Sequence, residues 1–259
     1  MTGDLDGGPP PWLADLAAAA ARMPVPPLLR PPPGEGRRSA ILVLFGPAAP
    51  RPAGTDVLAG PGAPGEDGGP ERPAAGAGDD VDLLLIQRRA GLRRHGGQPA
   101  FPGGAIDPGD VGPVEAALRE AAEEVGLDPA GVDVIGTAPE LFISRSEFRV
   151  VPVLGWWRRP VAVGPADPAE VAATARIRIS EFADRANRLS VRHPSGVTGP
   201  AFRVGGMLVW GFTAGVIDML LILGGWERPW DASRVEDLPA EALAAAIPDE
   251  LPNSAAHGA

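Results

Sequence analysis

Three glutamates, Glu120, Glu123 and Glu124, stand within one five-residue stretch of the chain. On a helix, residues three and four apart are neighbours, so these carboxylates would share one side of the helix surface. Carboxylates held this close repel one another, and some would be pushed towards protonation if nothing balanced the charge. Mg²⁺ and Mn²⁺ prefer oxygen ligands and remove that repulsion. The spacing therefore suggests a metal site; the alternative is a merely solvated acidic helix face.

The helix that would carry these glutamates is predicted to run from about residue 113 to residue 125. Pro113 suits a first helical position because its missing N–H is not needed there. Gly126 suits the position just past the last turn. Apolar residues recur at helical spacing on another face, at Val114, Ala117, Leu118, Ala121 and Val125. A Pro-Gly-Gly turn and an acidic loop, residues 107–110, precede the helix.

A basic cluster follows the strand predicted at residues 81–88. Its members are Arg88, Arg89, Arg93, Arg94 and His95. Guanidinium groups bind phosphate oxygens through paired hydrogen bonds, so a cluster just before a metal-binding helix favours a phosphate clamp. A solvated loop is the alternative.

The acidic helix and the turn before it resemble the Nudix box. The similarity rests on Gly104, Asp110, Arg119, Glu120, Glu123, Glu124 and Gly126. The general box has Glu where Asp110 stands, one residue fewer before the Arg-Glu pair, and a bulkier apolar residue at Ala121. The Asp and the longer spacing are similar to the branch of this superfamily that hydrolyses coenzyme A.

Three other segments resemble that branch. Residues 84–104 are similar to its upstream signature, which usually has Thr at Ile86 and Ser at Arg89. Residues 165–171 are similar to its Asn-Pro-Asp-Glu-Val segment, with Glu170 at the Glu. Residues 210–214, Trp-Gly-Phe-Thr-Ala, are similar to its Trp-Gly-x-Thr-Ala segment.

The resemblance implies a Nudix α/β/α sandwich, with a mixed central sheet and a loop–helix–loop box. It also implies hydrolysis of a nucleoside diphosphate-linked substrate by water attack at phosphorus. Coenzyme A or acyl-CoA is the expected substrate, and 3′,5′-ADP and 4′-phosphopantetheine (or its acyl form) are the expected products. Other diphosphates, such as ADP-ribose, dinucleotides or oxidised nucleotides, are the alternative. A non-catalytic Nudix-like regulator that binds a nucleotide is an alternative of another class.

The same resemblance assigns roles to individual residues. Mg²⁺ or Mn²⁺ would be held by Glu120, Glu123, Glu124 and the carbonyl of Gly104. Arg119 would orient a carboxylate such as Asp110 rather than touch the substrate. The general base is left open among the box glutamates and a downstream acid, with Glu170 first and Glu147 second. The residues expected to bind substrate are Arg88, Arg93, Arg94 and Gly97.

Composition narrows the classes of function. The chain has 259 residues, a net charge of −10 and no cysteine. The acidic balance argues against a nucleic-acid surface, and the lack of cysteine excludes disulfides and thiolate sites. No secretory signal is recognised at the start of the chain, so we expect a cytoplasmic enzyme, with a homodimer possible.

The chain is predicted to contain one Nudix domain at residues 37–235. A Pro/Ala-rich extension with a short helix precedes it (1–36), a disordered insertion interrupts it (46–80), and a tail follows (236–259). Further strands are expected at residues 39–45, 132–141, 148–156 and 176–179. Pro152 indicates an edge or a bulge, and Ser180 is a candidate N-cap. The most apolar stretch, 205–225, is predicted to hold a buried helix from about Thr213; a transmembrane span is the alternative.

Overall fold

The computed structural model describes residues 8–34, 36–50, 78–92, 95–144 and 146–244. The helices in these residues are α1 (Pro11–Ala21), α2 (Pro113–Val125), α3 (Ile179–Ala183), α4 (Gly211–Leu223) and α5 (Ala240–Ala244). The first strands are β1 (Arg37–Pro47), β2 (Val81–Arg88), β3 (Pro99–Ala100), β4 (Gly103–Ala105), β5 (Val132–Thr137) and β6 (Leu141–Ile143). The others are β7 (Phe148–Trp157), β8 (Val171–Arg178), β9 (Arg188–Arg192), β10 (Thr198–Val204), β11 (Met207–Val209) and β12 (Val235–Asp237).

A mixed sheet forms the centre of the molecule. Its strands run in the order β3-β2-β1-β7-β5, while β4 pairs with β1, β6 with β7 and β8 with β2. The β1–β7 pairing is parallel, and the other pairings in this sheet are antiparallel. Strand β1 is buried almost without interruption from Ser39 to Phe45, because helices cover both faces of the sheet.

Helices cover the two faces of this sheet. Helix α2 packs Ala117, Ala121 and Val125 into a core with β1, β2 and β7. Helices α1 and α4 pack against the opposite face, where Leu16 and Ile217 are both buried. This arrangement confirms the predicted α/β/α architecture with a mixed central sheet. Helix α1 lies in that second core even though it precedes the predicted domain.

The apolar stretch at residues 205–225 divides into two elements. Its first part forms β11, which belongs to a smaller sheet of order β11-β10-β9-β12. Its second part forms α4, which begins at Gly211 and buries one side against the central sheet. Within the part of the chain that the structure describes, no helix combines the length and the apolar character needed to cross a membrane.

Three details differ from the sequence-based predictions. Pro152 lies in an interior strand, β7, between β1 and the β5/β6 side. Its missing N–H is tolerated because β5 ends opposite Val153 and β6 begins opposite Val150. Helix α3 has Arg178, not Ser180, at its N-cap, without a side-chain capping bond. The predicted strand at residues 132–141 ends at Thr137, and a separate strand, β6, starts at Leu141.

Most of the predicted insertion, residues 51–77, lies outside the described residues. Its two ends are described and lie side by side. The Ala48 N–H donates to the Asp80 carbonyl (2.8 Å), and the Ala49 N–H donates to the buried Asp82 carboxylate (2.7 Å). The Arg176 guanidinium pairs with Asp82 at 3.4 Å. These contacts bring the two ends of the segment together at the edge of β1 and β2. The predicted tail is described only as far as α5.

Candidate active site

The turn between β3 and the acidic loop brings backbone next to α2. The Gly103 N–H donates to Glu124 Oε2 at 3.0 Å. Gly103 has φ +149°, and a Cβ there would lie 2.3 Å from the Ala40 carbonyl oxygen. Only glycine can occupy this position while β4 stays paired with β1. The close packing lets the backbone reach a carboxylate that is only 3% exposed.

Gly104 makes room for a second carboxylate. A Cβ on Gly104 would lie 2.4 to 2.5 Å from the three carboxyl atoms of Glu120. The Glu120 carboxyl group therefore rests directly against the backbone of β4. Glu120 and Glu124 approach the Gly103-Gly104 pair from one turn of α2, as their spacing predicts.

Arg119 connects the acidic loop to the glutamates. Its Nε and Nη2 donate to the two oxygens of Asp110, both at 3.0 Å. Its Nη1 donates to Glu120 Oε1 (3.1 Å) and Glu123 Oε2 (3.2 Å), and Nη2 also donates to the Ala105 carbonyl (3.1 Å). The hydrogen bond from Arg119 holds the pKa of Asp110 below its usual value. The guanidinium thus fixes both loop and helix, and Asp110 is its fully paired partner.

Among the carboxyl groups of the cluster, Glu124 has the pKa that is raised most, and burial is the main cause. It raises the pKa of Glu124 to about 7, against the opposing effects of the Gly103 N–H and the Arg88 charge. The pKa of Glu120 is also raised, first by burial. The negative charge of Glu170 adds to both shifts, that of Glu123 to the shift of Glu120, and that of Glu120 to the shift of Glu124. An additional cation beside these oxygens would favour their charged forms.

The donor set fits a hard divalent cation, although it is not closed around one point. Among the described residues, no three acidic or histidine side chains converge as a ready metal site. Arg88 and Arg119 hold several of the carboxylate oxygens. The close pair Glu120 and Glu124, the backbone oxygens beside them and the exposed Glu123 are the ligand types that Mg²⁺ and Mn²⁺ take.

The end of β2 brings a basic side chain into the carboxylate cluster. Arg88 Nη1 lies 3.4 Å from Glu124 Oε1, and Nη2 lies 3.8 Å from Glu170 Oε2. The Nε of Arg88 is buried and has no hydrogen-bond partner. Gly97, with φ +73°, donates its N–H to the carbonyls of Arg88 and Arg89 (3.1 and 3.2 Å). Gly97 therefore shapes the loop after β2, while the predicted Arg93 and Arg94 lie outside the described residues.

The two downstream acids are placed differently. Glu170 precedes β8, is half exposed, and lies beside Arg88. Glu147 stands in the turn between β6 and β7 with φ +56°, where its carbonyl accepts from the Arg37 N–H at 2.8 Å. The charge of Glu170 raises the pKa values of Glu120 and Glu124, whereas Glu147 is not among the groups of the described residues that shift them. The structure brings Glu170, and not Glu147, to the cluster.

Several contributors to the site were not identified from the sequence. Gly103, the Ala105 carbonyl and the Ala166 N–H, which donates to the Glu124 carbonyl at 2.9 Å, all belong to the backbone framework. The consecutive glycines were a signal for Gly103, whereas the other two groups have no side-chain signature. Thr213 Oγ1 donates to the Pro99 carbonyl at 3.1 Å. This bond joins α4 to the strand before the glycine turn.

The chain is similar to proteins of one known family. A family model described as the NUDIX domain matches residues 74–193. The Nudix hydrolase NudL of Citrobacter koseri is 43% identical over 147 residues, which cover 54% of this chain and 73% of that protein. NudL of Escherichia coli is 40% identical with the same coverage.

A solved Nudix hydrolase of M. smegmatis, RenU, is 22% identical, with a TM-score of 0.39, over 59% of this chain and 84% of that chain. The identity to the two NudL proteins extends over nearly three quarters of their length. The region that the family model matches contains β2, the glycine turn, α2 and Glu170. This chain belongs to the Nudix hydrolase family.

Proposed function

We propose that this Nudix hydrolase cleaves the diphosphate of coenzyme A or acyl-CoA, releasing 3′,5′-ADP and 4′-phosphopantetheine or its acyl form. One observation carries the reaction type: the carboxylates of Glu124, which is buried, and Glu120, which is partly buried, meet at Gly103-Gly104 beside the basic end of β2. Coenzyme A as the substrate rests on the resemblance of residues 84–104, 165–171 and 210–214 to the coenzyme A branch. Hydrolysis of an anionic diphosphate needs metal ligands and cationic side chains at the same place. Both are present within one turn of α2 and the end of one strand.

The metal in this proposal is Mg²⁺ or Mn²⁺, held by the carboxylates of Glu120, Glu123 and Glu124 and by the Gly104 carbonyl. When bound, the ion would neutralise the diphosphate and lower the pKa of a bound water. Arg119 does not need to touch substrate in this scheme. Its bonds to Asp110 and Glu120 keep the acidic loop and the glutamates in register.

Glu170 is our candidate for the general base. It is half exposed, so water and substrate can reach it, and it lies near Glu120 and the buried Glu124. Water would attack one phosphorus, its proton would pass to the Glu170 carboxylate, and the P–O bond to the other phosphate would break. The box glutamates are the alternative acceptors of that proton.

The proposed substrate-binding residues are Arg88, Arg93, Arg94 and Gly97. Arg88 supports the proposal because its guanidinium already lies at the carboxylates, with one buried nitrogen unpaired. Gly97 supports it by turning the chain so that the loop after β2 returns towards the site. The 3′-phosphate of coenzyme A supplies a reason for several arginines on one loop.

ADP-ribose, dinucleotides and oxidised nucleotides are the alternative substrates, because the carboxylates would serve any diphosphate. A nucleotide-binding regulator without turnover is the remaining alternative.

A product assay tests the proposal. Purified protein is given coenzyme A, ADP-ribose and NADH separately with Mg²⁺ or Mn²⁺, and products are separated by chromatography. We expect 3′,5′-ADP from coenzyme A at the highest kcat/KM. A preference for ADP-ribose or NADH would overturn the substrate while keeping the Nudix reaction, and no turnover of any diphosphate would favour the regulator.

Dephospho-coenzyme A provides a matched substrate that lacks only the 3′-phosphate. If Arg93 binds that group, Arg93→Ala raises KM for coenzyme A by about tenfold, the value of one charge-assisted contact, and leaves KM for dephospho-coenzyme A nearly unchanged. Equal losses on both substrates would argue against a 3′-phosphate contact.

A further inference from the structure

The turn that carries Glu170 has no regular secondary structure of its own. It ends the connection between β7 and β8, and it is closed locally around Asp167. The Ala169 N–H donates to Asp167 Oδ1 (2.8 Å), and the N–H groups of Glu170 and Val171 donate to the Asp167 carbonyl (3.1 and 2.9 Å). These bonds define the shape of the turn but not its distance from α2 or from β2. Other contacts must set its position relative to the site.

Helix α2 holds one side of this connection. Its last carbonyls have no partner within the helix. The Glu124 carbonyl accepts from the Ala166 N–H at 2.9 Å, and the Val125 carbonyl accepts from the Gly164 N–H at 3.2 Å. The chain just before the Glu170 turn is therefore attached to the same helix turn that carries Glu124.

Arg89 holds the other side. Its backbone N–H donates to the Glu170 carbonyl at 2.7 Å, and its guanidinium Nη1 donates to the Pro168 carbonyl at 2.8 Å. Arg89 therefore holds the turn at two points, at Glu170 through its backbone N–H and at Pro168 through its guanidinium. The β2–β8 register shifts at Gln87/Arg88, and an irregularity of this kind re-aims neighbouring side chains. Among the described residues, the Glu170 carboxylate is held by a single 3.8 Å pair with Arg88, so its position depends on the backbone that carries it.

We propose that Arg89 is a positioning residue that places Glu170 at the carboxylate cluster by fixing the 167–170 turn against the end of β2. This inference rests on the proposed function in one respect, namely that Glu170 takes part in the reaction. Within the described part of the chain, Arg89 has no hydrogen bond or ion pair with the box glutamates. Its effect on the reaction passes through Glu170 alone.

A double-mutant cycle tests this inference on the full chain, with coenzyme A, ADP-ribose or NADH as substrate, whichever the wild type hydrolyses fastest. Arg89→Ala is expected to lower kcat about tenfold with little change in KM, as for other residues that orient a catalytic group without contacting the substrate. Arg89→Lys keeps a cationic donor and is expected to recover most of the loss. In a Glu170→Gln background, Arg89→Ala is expected to change kcat less than about twofold, because coupled residues are not additive.

Two controls separate positioning from general damage. Arg159→Ala removes the same kind of exposed bond, from a guanidinium to the Ala130 carbonyl at 2.9 Å, and is expected to leave kcat unchanged. Mn²⁺ affinity, measured by electron paramagnetic resonance, is expected to be the same in Arg89→Ala as in the wild type. A loss of Mn²⁺ affinity in Arg89→Ala, or an additive loss of kcat in the Glu170→Gln background, would overturn the inference.

Failure of the proposed function would look different. A wild type that hydrolyses no diphosphate removes the enzymatic proposal before any variant is compared. A wild type that hydrolyses one of them, with Glu170→Gln equally active, leaves the diphosphatase in place but removes the role of Glu170 and with it that of Arg89.

Discussion

Glu124 is a buried carboxyl group, and without a bound metal ion few neighbouring groups stabilise its negative charge. The Gly103 N–H and Arg88 are its recorded polar contacts, and burial still raises its pKa to about 7 from 4.5. In the unfolded chain the group ionises near its ordinary pKa. Folding therefore favours the protonated form. This contribution to stability is complete below about pH 4.5 and is lost as the pH rises through about 7.

We expect the free energy of unfolding of the metal-free wild type to fall by up to about 3 kcal/mol between pH 5 and pH 8, because Glu124 ionises over this range. Glu124→Gln lacks the titrating group and escapes that loss. In EDTA, the Tm of Glu124→Gln should rise relative to the wild type as the pH increases. Mg²⁺ at pH 8 should then raise the wild-type Tm more than that of the variant. A Tm difference that stays constant with pH would contradict the assignment of Glu124 as the perturbed group.

The same substitution should nearly abolish turnover, because an amide replaces a charged metal ligand. Glu115→Gln on the same helix is the matched control. Glu115 accepts from the Val111 N–H outside the cluster, so its variant should keep full activity. Full activity in Glu124→Gln would remove the metal-site assignment.

At the scale of secondary-structure elements, the short strand β4 and helix α2 form the site together because neither glycine of β4 has a side chain. Gly103 and Gly104 each leave space for a different neighbour. A Cβ on Gly103 would meet the backbone of β1, whereas a Cβ on Gly104 would meet only the end of the Glu120 side chain. Backbone cannot move without breaking strand pairing, but a side chain can rotate away.

These contacts predict opposite outcomes for two neighbouring substitutions. Gly104→Ala should fold with nearly the wild-type Tm but lose at least about tenfold in kcat, because it displaces the Glu120 carboxylate. Gly103→Ala should lower Tm strongly, since it strains φ and separates β4 from β1. Gly109→Ala, with open space around its Cα, is the control for both and should change neither quantity. Loss of Tm in Gly104→Ala equal to that in Gly103→Ala would show that Glu120 cannot move.

Local sequence signals predicted the elements that depend on local chemistry. Helix α2 was predicted to within a residue because helical spacing, Pro113 and Gly126 all act within the segment itself, and Gly126 does adopt the left-handed conformation, φ +70°. Ser180 predicts the N-cap of α3 two residues too late, because the N-cap, Arg178, makes no side-chain capping bond that its residue type could signal. Pro152 predicts an edge or a bulge, yet it lies in an interior strand opposite the interruption between β5 and β6, and that interruption is a property of the sheet.

The candidate site also contains some groups that the sequence identifies and others that it does not. The glutamates and Arg119 could be identified because their side chains and spacing carry the chemistry. The Ala105 carbonyl, the Ala166 N–H and the Arg89–Pro168 bond could not, since any residue type supplies a backbone group. Their positions follow from how β2, α2 and the β7–β8 connection pack, which no short stretch of sequence specifies.

Across the whole molecule, α4 links the smaller sheet to the strand that precedes the site. Its first turn holds the Pro99 carbonyl through Thr213. Its middle is tied to β9 by an ion pair between Asp218 and the buried guanidinium of Arg188, which also lies over the Trp230 ring at 4.6 Å. Burial lowers the pKa of Arg188 and raises that of Asp218. Burial therefore disfavours the charge of each residue, and the ion pair compensates for this.

Removing one partner of such a pair leaves the other charge buried and costs more than removing both. We expect Asp218→Asn to lower the free energy of unfolding by about 2 kcal/mol, less than for a fully buried pair because Asp218 is partly exposed. Combining it with Arg188→Met should recover part of that loss, since no guanidinium then remains in the apolar core. Asp237→Asn, which breaks the exposed pair with Arg192, should cost under about 0.5 kcal/mol. Urea unfolding measures all three variants. A double variant less stable than Asp218→Asn would mean that the Arg188 side chain stabilises the junction through its ring contacts more than its unpaired charge destabilises it.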